Sequence, residues 1–389
     1  MEWKKKITIF GSTGSIGLST LDIISQHNDK YEIVGLSINN NYEKLLEQVS
    51  AFKPKIVSIK DTKSFEKFKN RNTLKNLKIL NGSDYFDDIL NYETDIVVAA
   101  ITGSAGLLPV VGAAKRGITI ALANKESLVC SGSLVTALAK KNGSMILPVD
   151  SEHNAIYQVL DVKNKQNVSK LILTASGGPF LNKITEELQN ISPEEAIKHP
   201  NWTMGKKISV DSATMMNKGL ELIEAHYLFD MPHDKIDIVV HPESIIHSCV
   251  EYSDGSILAQ MGNPDMRTPI SYTLAYPNRI PTRVEKLKLS DIKKLTFYEP
   301  DFLKFPCLEL AYSSLKIKKS APTVLNAANE IAVDAFLKKK ISFLSIHRIV
   351  EKTLNKASIS DINSIKDVVE VDTESRRIAT ELLTNYRIW

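Results

Sequence analysis

Three carboxylates and a group of anion-binding residues carry the chemistry legible in this sequence. Asp150-Ser151-Glu152 follows the apolar run from Met145 to Val149. Read as a continuation of that strand, residues i and i+2 face one side, so both carboxylates converge with Ser151 between them. Convergent carboxylates suit a hard cation such as Mg²⁺ or Mn²⁺. An acidic surface turn is the other reading of these residues. The run DSATMMNKGLE, Asp211 to Glu221, adds a third carboxylate. Asp211 or Ser212 reads as an N-cap, and the first turn of that helix suits a phosphate. Asn217 and Glu221 stand four apart and Lys218 and Glu221 three apart, so all three share one helix side. Taken alone, Lys218 and Glu221 also fit an exposed surface pair.

Further segments fit a phosphorylated sugar. Ser176-Gly177-Gly178-Pro179 follows a strand and offers backbone amides and a hydroxyl, an anion nest. His199-Pro200-Asn201-Trp202-Thr203-Met204-Gly205 combines aromatic, polar and glycine residues in a loop suited to a lid. A plain connection with Trp202 packed in the core is the alternative. Asn124-Lys125-Glu126-Ser127 follows another strand, where Lys125 could polarise an oxygen or simply open a solvated helix. His241 and His247 flank Pro-Glu-Ser-Ile-Ile and read as structural.

A nucleotide site stands near the start. Gly11-Ser12-Thr13-Gly14-Ser15-Ile16-Gly17 lies between a predicted strand and a predicted helix. Glycine permits the tight turn, and the helix amino terminus offers N–H groups to a pyrophosphate. An acid closing the second strand would grip an NAD ribose, but the chain reads Ser37-Ile38-Asn39-Asn40-Asn41 there. Nothing there repels a 2′-phosphate, so NADP is the favoured cofactor.

These residues need a sheet to position them. Lys6 to Phe10, Glu32 to Ser37, Ile56 to Ile59, Asp95 to Ala100, Thr119 to Ala123 and Ile146 to Val149 are short apolar runs alternating with helical stretches. That pattern predicts a doubly wound parallel sheet over residues 1–150. Lys170 to Ala175, Asp237 to Val240 and Gly255 to Gln260 read as strands, and Met215 to Leu228 as a helix, giving a second α/β domain over 151–276. Pro277, Pro281 and Pro300 punctuate a linker over 277–302, and residues 303–389 read as a helical bundle.

Composition narrows the class. The 389 residues, 43% hydrophobic and 24% charged, describe a globular chain of two or three domains. Dispersed charges, 49 basic against 45 acidic, give no nucleic-acid footprint. Cys130, Cys249 and Cys307 stand far apart and read as reduced thiols. No apolar run reaches the ~18 residues of a membrane span. Met1-Glu2-Trp3-Lys4 leads straight into a strand, so no leader peptide and a cytoplasmic location are expected.

The segments GSTGSIG, LANKESLV, PVDSEHNAI, SGGPF, HPNWTMG, SVDSATMMNKGLE and GNPDMRTPI occur in that order. Together they resemble the 1-deoxy-D-xylulose 5-phosphate reductoisomerase family over essentially the whole chain. The resemblance implies an N-terminal Rossmann-like domain, a central α/β catalytic domain and a C-terminal helical bundle. It also implies NADPH, Mg²⁺ or Mn²⁺ (Co²⁺ being possible for the family), and a homodimer with neither nucleic-acid nor membrane partners. By the same resemblance Thr13, Gly14, Ser15 and Ile16 contact the cofactor phosphates, and Asn39, Asn40 and Asn41 lie near the 2′-phosphate. Asn124, Glu126 and Gly205 match further cofactor contacts. Asp150, Glu152 and Glu221 match metal ligands. Lys125, Ser151, Glu152, Ser176, His199, Ser212, Asn217, Lys218 and Glu221 match substrate contacts. Of these, Ser176, Ser212, Asn217 and Lys218 fall on the phosphate, and Lys125 and Glu152 are the proton-handling candidates. One departure is Asn40, where the family often has a basic residue.

The implied reaction rearranges 1-deoxy-D-xylulose 5-phosphate and reduces the product with NADPH to 2-C-methyl-D-erythritol 4-phosphate, on the methylerythritol phosphate route to isoprenoids. Two rivals are weaker. A semialdehyde dehydrogenase needs a nucleophilic cysteine in a cofactor-side motif, which none of the three cysteines has. A nucleotide sensor has no use for the acidic trio.

Overall fold

The computed structural model describes residues 4–82, 85–202 and 204–384. Thr203 of the expected lid, the opening Met1-Glu2-Trp3 and residues 385–389 lie outside the described residues. Contacts group the chain into two compact units. The first runs to Ser127 and resumes at Val135–Ser151 and Met266–Val284. The second holds Leu128–Leu134, Glu152–Asp265 and the chain from Glu285 onward.

Among the described residues the first unit contains seven strands. They are β1 (Lys5–Phe10), β2 (Tyr31–Ile38), β3 (Ile56–Ile59), β4 (Lys78–Asn81), β5 (Ile96–Ala99), β6 (Thr119–Leu122) and β7 (Ile146–Pro148). Their order is β4-β3-β2-β1-β5-β6-β7, with every neighbouring pair parallel. This is the doubly wound sheet the apolar runs predict. β1, β2, β3 and β5 are buried through most of their length, as strands covered by helices on both faces must be. The exception is β4, a short edge strand with exposed Lys78 and Asn81, whose mixed character hid it from the sequence pattern. Strand order reverses at β1, which lies between β2 and β5, so a ligand crevice belongs at its carboxyl end.

Two glycines show why that end is built as it is. Gly11 has φ +90°, and a Cβ there would meet the Ala100 carbonyl oxygen at 2.6 Å. A Cβ on Gly17 would sit 2.5 Å from the carbonyl oxygens of both Gly11 and Ser12. The helix Ser15–Gln26 therefore rests directly on the turn that precedes it.

The second unit carries β8 (Val168–Ala175), β9 (Ile236–Val240), β10 (Ile246–Tyr252) and β11 (Ile257–Met261), ordered β11-β10-β8-β9. β8 and β9 are parallel, whereas β10 runs antiparallel to β8 and β11. β10 was not legible in the sequence because IHSCVEY mixes polar and apolar residues without strict alternation. The C-terminal part is helical, with Pro306–Ile317, Ala321–Leu337, Ser345–Lys356 and Ile365–Leu383. Leu171 and Leu173 of β8 share one buried cluster with Ile223, Leu308, Leu325 and Ile349.

The four-segment reading therefore needs correction at two places. Residues 303–389 do not form a core of their own, because helix Met216–Leu228 packs on helix Pro306–Ile317. Gly219 permits the approach, since a Cβ there would lie 2.5 Å from that of Ala311. The segment 277–302 does contain the crossing between the units, after Val284, but what precedes it is not a continuous 151–276. Helix Arg267–Ala275 places Ile270 and Leu274 in the core of the first unit, and Thr273 Oγ1 donates to the Pro148 carbonyl at 2.9 Å. Further on, Tyr298 exchanges two backbone hydrogen bonds with Val240, at 2.8 and 2.9 Å.

The glycine packing yields a test. Gly17→Ala should push the helix away from the turn and raise the Kd for NADPH by about tenfold or more, a loss of about 1.4 kcal/mol. Fluorescence titration of NADPH reads this directly, and a Kd unchanged within twofold would contradict the packing argument.

Candidate active site

In the first unit the turn Gly11–Ser15 joins β1 to helix Ser15–Gln26. Gly14 is the N-cap, and having no side chain it leaves the first-turn N–H groups to an anion. Thr13 is half-buried, Gly14 and Ser15 are exposed, and Ile16 lies half-buried behind them. Ser12 is buried and its Oγ donates to Gln48 Oε1 at 2.7 Å, while Gln48 Nε2 donates to the Ser12 carbonyl at 2.9 Å. Gln48 was missed from the sequence. Its one signal is an amide on the buried side of helix Tyr42–Phe52, between Leu45 and Val49.

Asn39, Asn40 and Asn41 are exposed just past β2. Asn41 also caps helix Tyr42–Phe52 by accepting from the Lys44 N–H at 3.2 Å, which occupies its carbonyl but not its amide group. Asn124 is buried. Its Nδ2 reaches the carbonyls of Ile101 and Gly103, at 2.7 and 2.9 Å, and Glu126 Oε2 at 3.0 Å, and its Oδ1 accepts from the Ser127 N–H. Asn124 thus latches the loop after β5 to the loop after β6. Lys125 forms an ion pair with Asp150, both side chains being largely buried.

In the second unit Glu152 and Glu221 converge. Ser151 and Glu152 stand in the first turn of helix Ser151–Val159, so the alternation expected from an extended strand does not apply to them. Glu152 is instead brought to its partners by the helix. Lys218 Nζ lies 2.6 Å from Glu152 Oε1 and also bonds Glu221. Asn217 Nδ2 donates to Glu221 Oε1 at 2.5 Å. Lys218 is 4% and Glu221 1% exposed, which rules out the reading as an exposed helix pair. Burial works against the ammonium, but Glu152 and Glu221 outweigh it and hold the Lys218 pKa above its ordinary value. A buried ion cluster rarely stabilises more than apolar packing would, so its presence argues for function. Its oxygen donors already surround a positive charge and fit a hard divalent cation. His153 was missed. Its Nε2–H donates to the Glu221 carbonyl at 2.9 Å and ties the two acid-bearing helices together.

The phosphate candidates lie around the same helix. Helix Lys206–Ala213 contains Asp211 and Ser212, so neither caps the next helix as the sequence suggested. Helix Met216–Leu228 begins instead at Met215, which has φ +58°. The cause is a continuous helical run before the turn, in which Thr214 closes the first helix. A Cβ on Gly178 would come within 2.6 Å of the Ser212 carbonyl oxygen, so the Ser176–Gly178 turn lies directly on that backbone. His199 Nδ1 accepts from the N–H groups of Asn201 and Trp202, at 3.2 and 3.0 Å. Its proton is therefore on Nε2, which donates to Ser176 Oγ at 2.9 Å. Ser176 Oγ also accepts from the Gly178 N–H at 3.1 Å, leaving its own hydrogen for an anion. Asn201 Nδ2 reaches the Pro242 carbonyl at 2.7 Å and Ser244 Oγ at 2.9 Å, and Gly205 is the exposed N-cap of helix Lys206–Ala213. The Trp202 ring is 6.1 Å from that of His247.

Cysteine nucleophiles are excluded by their surroundings. Cys130, Cys249 and Cys307 are buried thiols, and burial pushes Cys249 up to about 11 and Cys307 up to about 12. His241 accepts the Ile245 and Ile246 N–H groups on Nε2, a structural role as expected.

Burial, and secondarily the Lys218 charge, lowers the His199 pKa to about 4. The ligand-free protein should keep this imidazole neutral down to that pH. Because the folded value lies below the ordinary one, the group favours folding fully at neutral pH. That contribution is lost as pH falls from about 6.5 toward 4. NMR titration of the ring carbons checks this, and a midpoint near 6.5 would contradict the tautomer and its two backbone donors.

Comparison with known proteins identifies the family. Family models match residues 7–132 (1-deoxy-D-xylulose 5-phosphate reductoisomerase), 146–229 (its C-terminal domain) and 261–378 (DXP reductoisomerase C-terminal domain). The 1-deoxy-D-xylulose 5-phosphate reductoisomerase of Geotalea daltonii is 48% identical over 383 residues, covering 98% of this chain and 100% of that protein. That of Thermoanaerobacter pseudethanolicus is 51% identical over 371 residues, covering 95% and 97%. The Zymomonas mobilis reductoisomerase solved with NADPH superposes with a TM-score of 0.92 at 45% identity, covering 98% of this chain and 99% of that one. A DOX-P reductoisomerase in complex with NADPH, fosmidomycin and magnesium gives 0.94 at 45% identity, covering 98% of each. The chain belongs to the 1-deoxy-D-xylulose 5-phosphate reductoisomerase family.

Proposed function

We propose that this chain performs its family's reaction with the residues described above. It converts 1-deoxy-D-xylulose 5-phosphate to 2-C-methyl-D-erythritol 4-phosphate, using NADPH and a divalent cation. The observation that carries this reading is the buried convergence of Glu152 and Glu221 on Lys218, on a helix that also bears Asn217.

Asp150, Glu152 and Glu221 are the proposed ligands of Mg²⁺ or Mn²⁺. Asp150 and Glu152 are two residues apart, which limits their Cα separation to about 7 Å. The cation supplies Lewis-acid polarisation of the substrate oxygens. Ser176, Ser212, Asn217 and Lys218 hold the phosphate, with the Ser176 hydroxyl hydrogen directed by His199. Lys125 and Glu152 handle protons, while Ser151 and His199 complete the substrate contacts. NADPH supplies the hydride, held by Thr13, Gly14, Ser15 and Ile16 at its phosphates. Asn39, Asn40 and Asn41 take the 2′-phosphate, and Glu126 and Gly205 add further contacts. Asn124 acts here by shaping the loops it joins. Trp202 closes over the site and excludes water.

The working form is a homodimer in the cytoplasm. The edge strand β11 exposes Ile257, Leu258 and Met261, which supports association with a second copy. The three buried cysteine thiols fit a reducing compartment. Among the described residues no helix is long and apolar enough to cross a membrane.

Purified protein should consume NADPH only when the ketose phosphate and Mg²⁺ or Mn²⁺ are both present, and EDTA should stop it. NADPH should give a kcat/KM well above that of NADH. Glu221→Gln should lower turnover by about two orders of magnitude or more while NADPH binds normally. Excess Mn²⁺ should restore part of the loss. A Glu221→Gln enzyme with near-normal rate and unchanged metal dependence would reduce that carboxylate to a partner of Lys218.

A further inference from the structure

Asp211 is a buried charge that the reaction just described does not use. It lies in the last turn of helix Lys206–Ala213, one residue before Ser212, and is 1% exposed. Asn329 Nδ2 donates to its Oδ1 at 2.8 Å, and Lys207 Nζ stands 2.9 Å from its Oδ2. Asn329 belongs to helix Ala321–Leu337 in the C-terminal helical part and is fully buried. Its bond to Asp211 is the one side-chain hydrogen bond it makes among the described residues, and its own Oδ1 has no partner. An amide left half-unpartnered in a core costs stability that an apolar side chain of the same size would not. The donation to Asp211 is what the amide offers in return.

That donation falls at the root of the phosphate subsite. The Ser176–Gly178 turn rests on the Ser212 backbone, as the 2.6 Å clearance at Gly178 shows. On the other side Thr214 Oγ1 donates to the Asp211 carbonyl at 3.2 Å, just before the left-handed turn at Met215 that leads to Asn217 and Lys218. Anchoring the Asp211 side chain therefore anchors the backbone segment on which both arms of the cradle rest. An unfixed carboxylate next to Ser212 would also repel an incoming phosphate, an interaction strengthened by the low dielectric of a buried site. Lys207 neutralises it and Asn329 holds it in place.

We propose that Asn329 is a positioning residue for the substrate phosphate, acting through Asp211, so that the C-terminal helical part sets phosphate affinity. The proposal rests on the functional reading above. Asn329→Leu removes the donor and keeps the volume. It should raise KM for the ketose phosphate about tenfold, with kcat and KM for NADPH changing far less. The inhibition constant of inorganic phosphate should rise in parallel. A second variant, Asn329→Ala, removes the donor without placing a branched apolar side chain against the carboxylate, and should raise both constants in the same direction. It also serves if Asn329→Leu fails to fold, and unchanged phosphate constants there would overturn the proposal. An Asn329→Leu protein with a lowered melting temperature but unchanged KM and phosphate inhibition would make Asn329 a core filler only. If the wild-type chain consumes no NADPH with the ketose phosphate, the functional reading falls first. Calorimetric titration of inorganic phosphate into both proteins then still decides the matter, and equal Kd values overturn the proposal.

Discussion

The buried ammonium of Lys218, held between Glu152 and Glu221, is the interaction on which the rest of the second unit depends. Three ionised groups with little access to water are costly to assemble. They persist only where helices hold them in register and neighbouring donors fill the remaining lone pairs. Asn217 takes one oxygen of Glu221, and His153 takes its backbone carbonyl. Helix Met216–Leu228 must therefore be held rigidly. Its packing on the sheet and on helix Pro306–Ile317, with Gly219 at the closest approach, supplies that rigidity.

The same requirement explains the architecture around the phosphate residues. Ser176 comes from the end of β8, His199 from a loop, Ser212 from one helix and Lys218 from the next. Only the last two adjoin in sequence, through the turn at Thr214 and Met215. All four are joined by close backbone approach at Gly178, by the His199–Ser176 hydrogen bond, and by Asp211 anchored from the C-terminal helices. Function in this unit is thus spread over segments with no common local structure.

The first unit solves a different problem, namely placing backbone N–H groups against an anion. Here the constraint is steric. Gly11 and Gly17 leave no room for a Cβ, and the reciprocal Ser12–Gln48 bonds keep the turn from relaxing. The Asn39–Asn41 loop brings amides rather than a basic side chain to the end of β2, and one of its carbonyls is already engaged as a helix cap.

The sequence by itself determined the parallel sheet, the glycine turn and the identities of the acids. Apolar runs, glycine spacing and helical i, i+3 and i+4 intervals are local properties that survive without tertiary context. That is why the shared side of Asn217, Lys218 and Glu221 was legible, whereas the burial of that side was not. Local rules misplaced Glu152 on a strand and Asp211 at a helix cap, because the point where a helix starts depends on what it packs against. The return of residues 266–284 to the first unit was invisible for the same reason. Ile270 and Leu274 read as part of the second domain until the fold gives them the first unit's core. Gln48, His153 and Asn329 were decided wholly by tertiary structure. Each is a polar residue on a buried helix face, and only the fold says which atom it must reach.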